Sequence, residues 1–327
     1  MKFKNKLLKI FIFFLLIIPI NTLAYSNYVI PGGETIGIEV NSRGVLVVGF
    51  YKVDGEYIAK NAGFSLGDII LKINGEEVHD IASMVEKIEV VDSSKVKFSV
   101  LRDEKEKEIE IGLKLGSDRV LKTGLYVKDK VKGVGTLSYI DPNSKIFGSL
   151  GHEIIDSSTA SKFEIKDGEI YEANVSNIIK SRDGNAGEKN ATYNRDNVYG
   201  TIKDNETTGI YGTYQEDISN KETIEVADSS TVTTGKASIR TVIKGNEVEE
   251  FEINILSLDS NSKTKNILFE VTDSRLLSET GGIVQGMSGS PIIQNNKIIG
   301  AVNYVIVNDT SKGYGIFITT MLEEGEK

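Results

Sequence analysis

Apolar and polar residues alternate with a period of two in several stretches of this chain, the pattern of strands with one buried face. Val96, Phe98 and Val100 alternate with polar neighbours. After the charged turn Asp103–Lys107 the alternation resumes at Ile109, Ile111 and Leu113. Val45–Tyr51 is a continuous apolar run suited to a buried strand, and Ile69–Asn74 reads as another, closed by Asn74-Gly75. One segment follows a different period. Asp80 is placed to cap a helix running to about Val90, with Ile81, Val85 and Ile88 on one face. Strands around one substantial helix predict a small α+β domain over residues 25–115.

The character changes near Gly116, where a second domain over residues 116–327 is expected. Glycine, threonine, asparagine and short β-branched runs dominate, without a long amphipathic helix before the end. Thr231–Ile243 and Glu247–Leu258 flank Gly245-Asn246 and read as a long hairpin. Lys180–Asn220 is polar and glycine-rich and reads as surface loops or hairpins. Near the end, Ile292-Ile293, the turn Asn295-Asn296 and the run Lys297–Val302 predict strand, tight turn and strand. Many short strands separated by turn signals favour a barrel or sandwich.

Charge narrows the function. The 327 residues carry a formal net charge of −9, and residues 1–24 hold four lysines and no acid. The remainder is therefore more acidic still, a surface that does not attract nucleic acid or anionic lipid. The four lysines precede the apolar run Ile10–Ile18, and Thr22-Leu23-Ala24 offers small residues at a cleavage position. The run is short of the ~20 residues of a spanning helix, so residues 1–24 read as a secretory signal or, failing cleavage, an N-terminal anchor. Either way the body of the protein is expected to be exported. There is no cysteine, which excludes disulfides and thiol nucleophiles. With only two histidines, no metal site and no cofactor are expected.

Candidate chemistry is concentrated in Gly281–Ile293, GGIVQGMSGSPII. Glycines around Ser288 allow a tight turn and leave its hydroxyl uncrowded. They also let the N–H groups of Gly286 and Ser288 point at one spot, where an oxyanion can sit. Ser290 is a rival nucleophile, but its neighbour Pro291 has no N–H to offer. A base is sought next. His79 lies in a polar loop, whereas His152, in Ser149-Leu150-Gly151-His152-Glu153-Ile154, shares the second domain with Ser288. An imidazole near pH 7 is mostly neutral yet basic, as proton abstraction requires. For a carboxylate to orient it, Asp141, Asp156, Asp183 and Asp273 all remain open.

Two resemblances sharpen these readings. Ala62–Gly75, AGFSLGDIILKING, resembles the core of PDZ domains, and Thr35-Ile36-Gly37-Ile38 resembles their carboxylate-binding loop. That implies capture of an extended peptide as an added strand at Ile36, Gly37 and Ile38. The second domain resembles the stage IV sporulation protein B family of secreted signalling serine peptidases. Gly151-His152-Glu153-Ile154, Val271-Thr272-Asp273 and the block from Thr280 through Ile318 carry that likeness. It implies a mainly β chain: a PDZ domain followed by a chymotrypsin-like β-barrel peptidase with the triad His152, Asp273 and Ser288. It further implies secretion from the forespore into the intermembrane space and cleavage of a membrane-associated regulator bound through PDZ and active site. Sigma-factor signalling and self-cleavage near the N-terminus complete that picture. A non-catalytic exported PDZ adaptor and a general envelope quality-control protease are the alternatives.

Overall fold

The computed structural model describes residues 25–89, 95–115 and 120–327. The expected leader over 1–24, the helix end at Val90 and the domain start at Gly116 lie outside those residues. The chain is mainly β.

Two pairing circuits of six strands each make up the peptidase part. In the first, Thr35–Phe50 pairs with Ile165–Ile179, then Glu188–Glu206, Gly209–Tyr214, Ile146–Ser149 and Leu125–Ile140, which returns to Thr35–Phe50. In the second, Gly235–Thr241 pairs with Glu249–Leu258, then Ile267–Val271, Lys312–Phe317, Lys297–Val305 and Pro291–Gln294, which returns to Gly235–Thr241. The short strand Tyr28–Pro31 ties the two together. It pairs with Ile224 and Glu225 on one side and with Tyr139 and Ile140 on the other.

The alternation in sequence explains why the circuits hold. Phe251, Ile253 and Ile255 point inward from one strand and meet Ile267, Phe269 and Val271 from the next, all nearly inaccessible to solvent. Each such side chain contributes about 1.5–3 kcal/mol by leaving water. A second core, with Ile36, Ile38, Leu137, Phe147 and Ile170, fills the first circuit.

The PDZ part hangs on the far half of the long strand Thr35–Phe50. Val45 and Leu46 pair with Ile70 and Ile69, and the sheet continues through Lys95–Arg102 and Lys105–Gly112. The expected helix is present as Ile81–Glu89. Asp80 caps it, its carboxylate accepting from the Ser83 N–H while the Ser83 hydroxyl accepts from the Asp80 N–H. Met84 and Ile88 are its buried residues, and Val85 is exposed. The turn Asn74-Gly75 has the positive φ angles, 49° and 85°, that those residues tolerate.

Of the residues placed with the first domain above, Tyr28–Pro31 and the first half of Thr35–Phe50 pair with strands of the second, while the far half of Thr35–Phe50 pairs within the first. Lys180–Asn220 forms the expected hairpin: the 19-residue strand Glu188–Glu206 pairs antiparallel with Gly209–Tyr214 across a tight turn. Finally, a short helix, Ser274–Thr280, interrupts the second circuit just before the serine segment.

Candidate active site

The serine segment Gly281–Gly289 is an irregular loop between the helix Ser274–Thr280 and the strand Pro291–Gln294. Its glycines are required by geometry. Gly286 has φ 91° and Gly289 φ 94°. A Cβ on Gly289 would come within 2.0 Å of the Thr136 carbonyl oxygen. Much of the backbone of this loop is spoken for. The N–H groups of Gln285, Met287, Gly289 and Ser290 donate to Gly187, Val284, Val302 and Met287 carbonyls. Among the described residues, the N–H groups of Gly286 and Ser288 have no acceptor within the protein. Both residues line the same cavity of about 540 Å³. That is the arrangement an oxyanion hole needs, two fixed donors left open toward a space where charge develops.

His152 lines this cavity too. The Leu150-Gly151 turn delivers it, with φ angles of 70° and 71°. The ring stacks on Tyr304, centroids 5.4 Å apart. Its Nδ1 lies 2.9 Å from the Glu153 carbonyl oxygen. A carbonyl only accepts, so Nδ1 carries the proton and Nε2 keeps its lone pair. Burial lowers the His152 pKa below its ordinary value, against the raising effect of the Glu153 carbonyl. The ring is thereby held neutral and ready to accept a proton. The Ser288 hydroxyl donates to the Asn303 carbonyl at 3.1 Å rather than to the imidazole. The two groups line one cavity, with no hydrogen bond between them.

Asn303 is a site residue that sequence reasoning missed. Its carbonyl holds the Ser288 hydroxyl, and its side-chain amide donates to Gly151 at 2.7 Å and Thr264 at 3.0 Å. It thus links the histidine turn of the first circuit to the serine loop of the second. The signal in sequence was only the polar interruption in the apolar strand Lys297–Val305, at a position with 1% exposure. Ser290, the rival nucleophile, is fully buried and its hydroxyl has no partner.

Asp273 makes no hydrogen bond with His152. It is the N-cap of the helix Ser274–Thr280, its Oδ1 accepting from Arg275 N–H at 2.9 Å and Leu276 N–H at 2.8 Å. The other carboxylates considered are engaged elsewhere: Asp141 with Ser26, Asp156 with Lys128, and Asp183 with the Thr310 N–H. Among the described residues no carboxylate bonds the ring, and Nδ1 is held by the Glu153 carbonyl. Capping by Asp273 still matters to the site, because that helix leads directly into Gly281–Gly289. Asp273→Ala is expected to lower stability by about 1 kcal/mol and Asp273→Asn hardly at all, since asparagine also caps. Thermal unfolding checks this. The activity of Asp273→Asn then separates the two roles: an unchanged kcat leaves the carboxylate a cap, and a fall of about four orders of magnitude assigns its charge to the reaction.

The peptide-binding expectation at Ile36, Gly37 and Ile38 is corrected. These residues pair on both sides, with Gly133–Gly135 and with Ile170–Glu172. Ile36 and Ile38 are core residues, and the Tyr193 ring covers Gly37. A strand with two neighbours has no free edge to offer. The free edge is Leu125–Val127, which pairs only with Val47–Phe50. It faces the helix Ile81–Glu89 across a groove lined by Ile81, Val85, Ile88, Leu121 and Val127.

Comparison with known proteins gives two family matches. A model described as SpoIVB peptidase S55 matches residues 119–322, and one described as PDZ domain matches residues 35–113. No curated protein matches the chain. Among solved structures, the active form of the Rv3671c protease from M. tuberculosis is 13% identical, covering 57% of this chain and 70% of its own, with a TM-score of 0.33. Its inactive form is 12% identical, covering 57% and 80%, with a TM-score of 0.32.

Proposed function

This chain belongs to the SpoIVB peptidase S55 family, and on that premise we propose that it cuts a membrane-associated regulatory protein after export, as a step in sporulation signalling. It is a serine peptidase that carries a PDZ domain. In the proposed reaction the Ser288 hydroxyl turns from the Asn303 carbonyl to Nε2 of His152. Oγ attacks the scissile carbonyl while Nε2 takes its proton. The Gly286 and Ser288 N–H groups receive the oxyanion, and His152 then protonates the leaving amine. Water attacks the acyl-enzyme with the same base, releasing the acid and restoring the serine. Asp273 enters this scheme as the cap of the helix that leads into the serine loop. One observation carries the assignment: Ser288 and His152 line one cavity together with Gly286, and the Gly286 and Ser288 N–H groups are without an acceptor among the described residues.

The PDZ groove between Ile81–Glu89 and Leu125–Val127 is where the substrate tail, or this chain's own N-terminal segment, would add as a strand. No helix among the described residues is long and apolar enough to cross a membrane. Signalling implies narrow cutting. Incubating the wild-type protein with unfolded casein, and following its own mass alongside that of Ser288→Ala, tests the proposal. One or two self-cleavage products and an intact casein are expected. Extensive casein digestion points instead to general quality control, and an unchanged mass removes self-cleavage.

A further inference from the structure

A lysine with no role in the reaction above lies directly behind the serine loop. Lys189 is 1% exposed and is the largest charged residue in the interior. Its Nζ lies 2.8 Å from the Thr241 hydroxyl, 3.3 Å from Thr35 and 3.4 Å from Thr136. These three threonines come from both circuits and are themselves at 2% exposure or less. An ammonium has three protons to donate and nothing to accept with, so three hydroxyls receive it completely. Each hydroxyl keeps its own proton to pass on.

Thr136 passes its proton to the serine loop. Its Oγ1 donates to the Gly286 carbonyl at 2.7 Å, and its N–H donates to the Ser288 carbonyl at 3.0 Å. Its own carbonyl accepts the Ser149 hydroxyl, three residues before His152. The lysine stem is packed there as well. A Cβ on Gly286 would lie 3.1 Å from the Lys189 Cβ, and the Lys189 N–H donates to the Gln285 carbonyl at 2.9 Å. The Gln285 carbonyl held by Lys189 fixes the peptide unit that carries the Gly286 N–H, and the Gly286 carbonyl held by Thr136 fixes the unit that follows it.

We propose that Lys189 is a positioning residue for the oxyanion-binding loop: its ammonium orients the Thr136 hydroxyl onto the Gly286 carbonyl, which fixes the peptide unit lying between the Gly286 and Ser288 N–H groups and so holds the loop shape that leaves both open to the cavity. The inference rests on Ser288 being the nucleophile. The elements packed around Nζ present hydroxyls and no carboxylate: Thr35, Thr136 and Thr241 on three strands, and glycine backbone on the loop. Glu188, next in the chain, is exposed. Burial alone lowers the Lys189 pKa to about 7. A neutral amine would have a lone pair for one threonine to donate to, which breaks the direction of the relay. The protonated form is the active one, so the effect of Lys189 is present below that pKa and lost as pH rises through it. This limb is separate from that of His152, which loses activity as pH falls.

The probe is a fluorophosphonate, whose capture by a serine builds charge on the oxygen that the oxyanion hole binds. Inactivation is followed from about pH 5 to pH 9 with wild type, Lys189→Met, Thr136→Ser and Thr136→Val. Methionine keeps the unbranched stem against Gly286. Lys189→Met is expected to lower the maximal inactivation rate at least about tenfold, with KI within twofold and an unchanged or higher melting temperature, and to lose the alkaline limb near pH 7. Thr136→Ser is expected to behave as wild type and Thr136→Val as Lys189→Met. A Lys189→Met rate within twofold of wild type and an unaltered pH profile overturn the proposal. Should that variant not fold, the threonine pair decides: equal rates for serine and valine overturn it. Failure of the wild-type protein to label at Ser288 instead overturns the nucleophile assignment, which is a distinguishable result.

Discussion

Ser288→Ala folds and melts close to wild type but cleaves about four to six orders of magnitude more slowly. The two halves of that expectation have different causes. The hydroxyl makes one hydrogen bond, to the Asn303 carbonyl, on the half-buried wall of the cavity. Losing such a bond costs about 0.5–1.5 kcal/mol, a shift of a few degrees at most for a chain of this size. No apolar contact is lost, because the β-carbon is retained and Met287 beside it fills the core. The rate loss is large because no other hydroxyl takes the same place. Ser290 is the nearest in sequence, and it is sealed in the interior. Residual turnover reflects binding and the two free N–H groups alone. Single-turnover cleavage and a melting curve on the same preparation check both halves, and activity equal to wild type removes Ser288 from the mechanism.

His152→Gln has an effect of the same order, and adding Ser288→Ala to it changes little more. A nucleophile and its base act as one unit, so their losses do not add. Glutamine is suited to the test because it is polar and of similar length yet accepts no proton near neutral pH. Wild type supplies a second readout. Burial depresses the His152 pKa below 6.5. The neutral ring is the active form, so kcat/KM rises with pH through that depressed value and is flat above it, until Lys189 begins to lose its proton. An acid limb centred below 6.5 is therefore expected. A limb above 6.5 contradicts a buried, uncharged ring and points to a carboxylate partner in the working enzyme. The double variant, measured by the same single-turnover assay, completes the cycle: independent, additive losses contradict the pair.

The site was readable in part because its chemistry depends on local sequence. Glycines at 286 and 289 adopt φ angles that other residues resist, and Gly289 abuts the Thr136 backbone, so the run GMSG announces its own geometry. With two histidines in the chain, the choice of base was short. Three features escaped. The partner of the His152 Nδ1 is a backbone carbonyl, and every residue has one, so no side chain in the sequence marks it. Asp273 reads equally well as catalyst or helix cap, and only the helix Ser274–Thr280 shows which N–H groups it holds. The short tetrapeptide Thr35–Ile38 looks the same whether it lies at an edge or between two strands.

What the sequence alone determined is what neighbouring residues impose on one another: alternating strands, the Asn74-Gly75 and Asn295-Asn296 turns, the capped helix at Ile81, and a serine loop that only glycine permits. What the tertiary structure decided is everything set by strand partners far apart in the chain. It paired the N-terminal strands with those of the second domain, left the strand edge Leu125–Val127 facing the helix Ile81–Glu89, and put Lys189 behind Gly286 although 97 positions separate them. Local conformation follows from steric limits within a few residues. Pairing register and the burial of a charge arise only when distant strands close on each other, and no local pattern records which ones will.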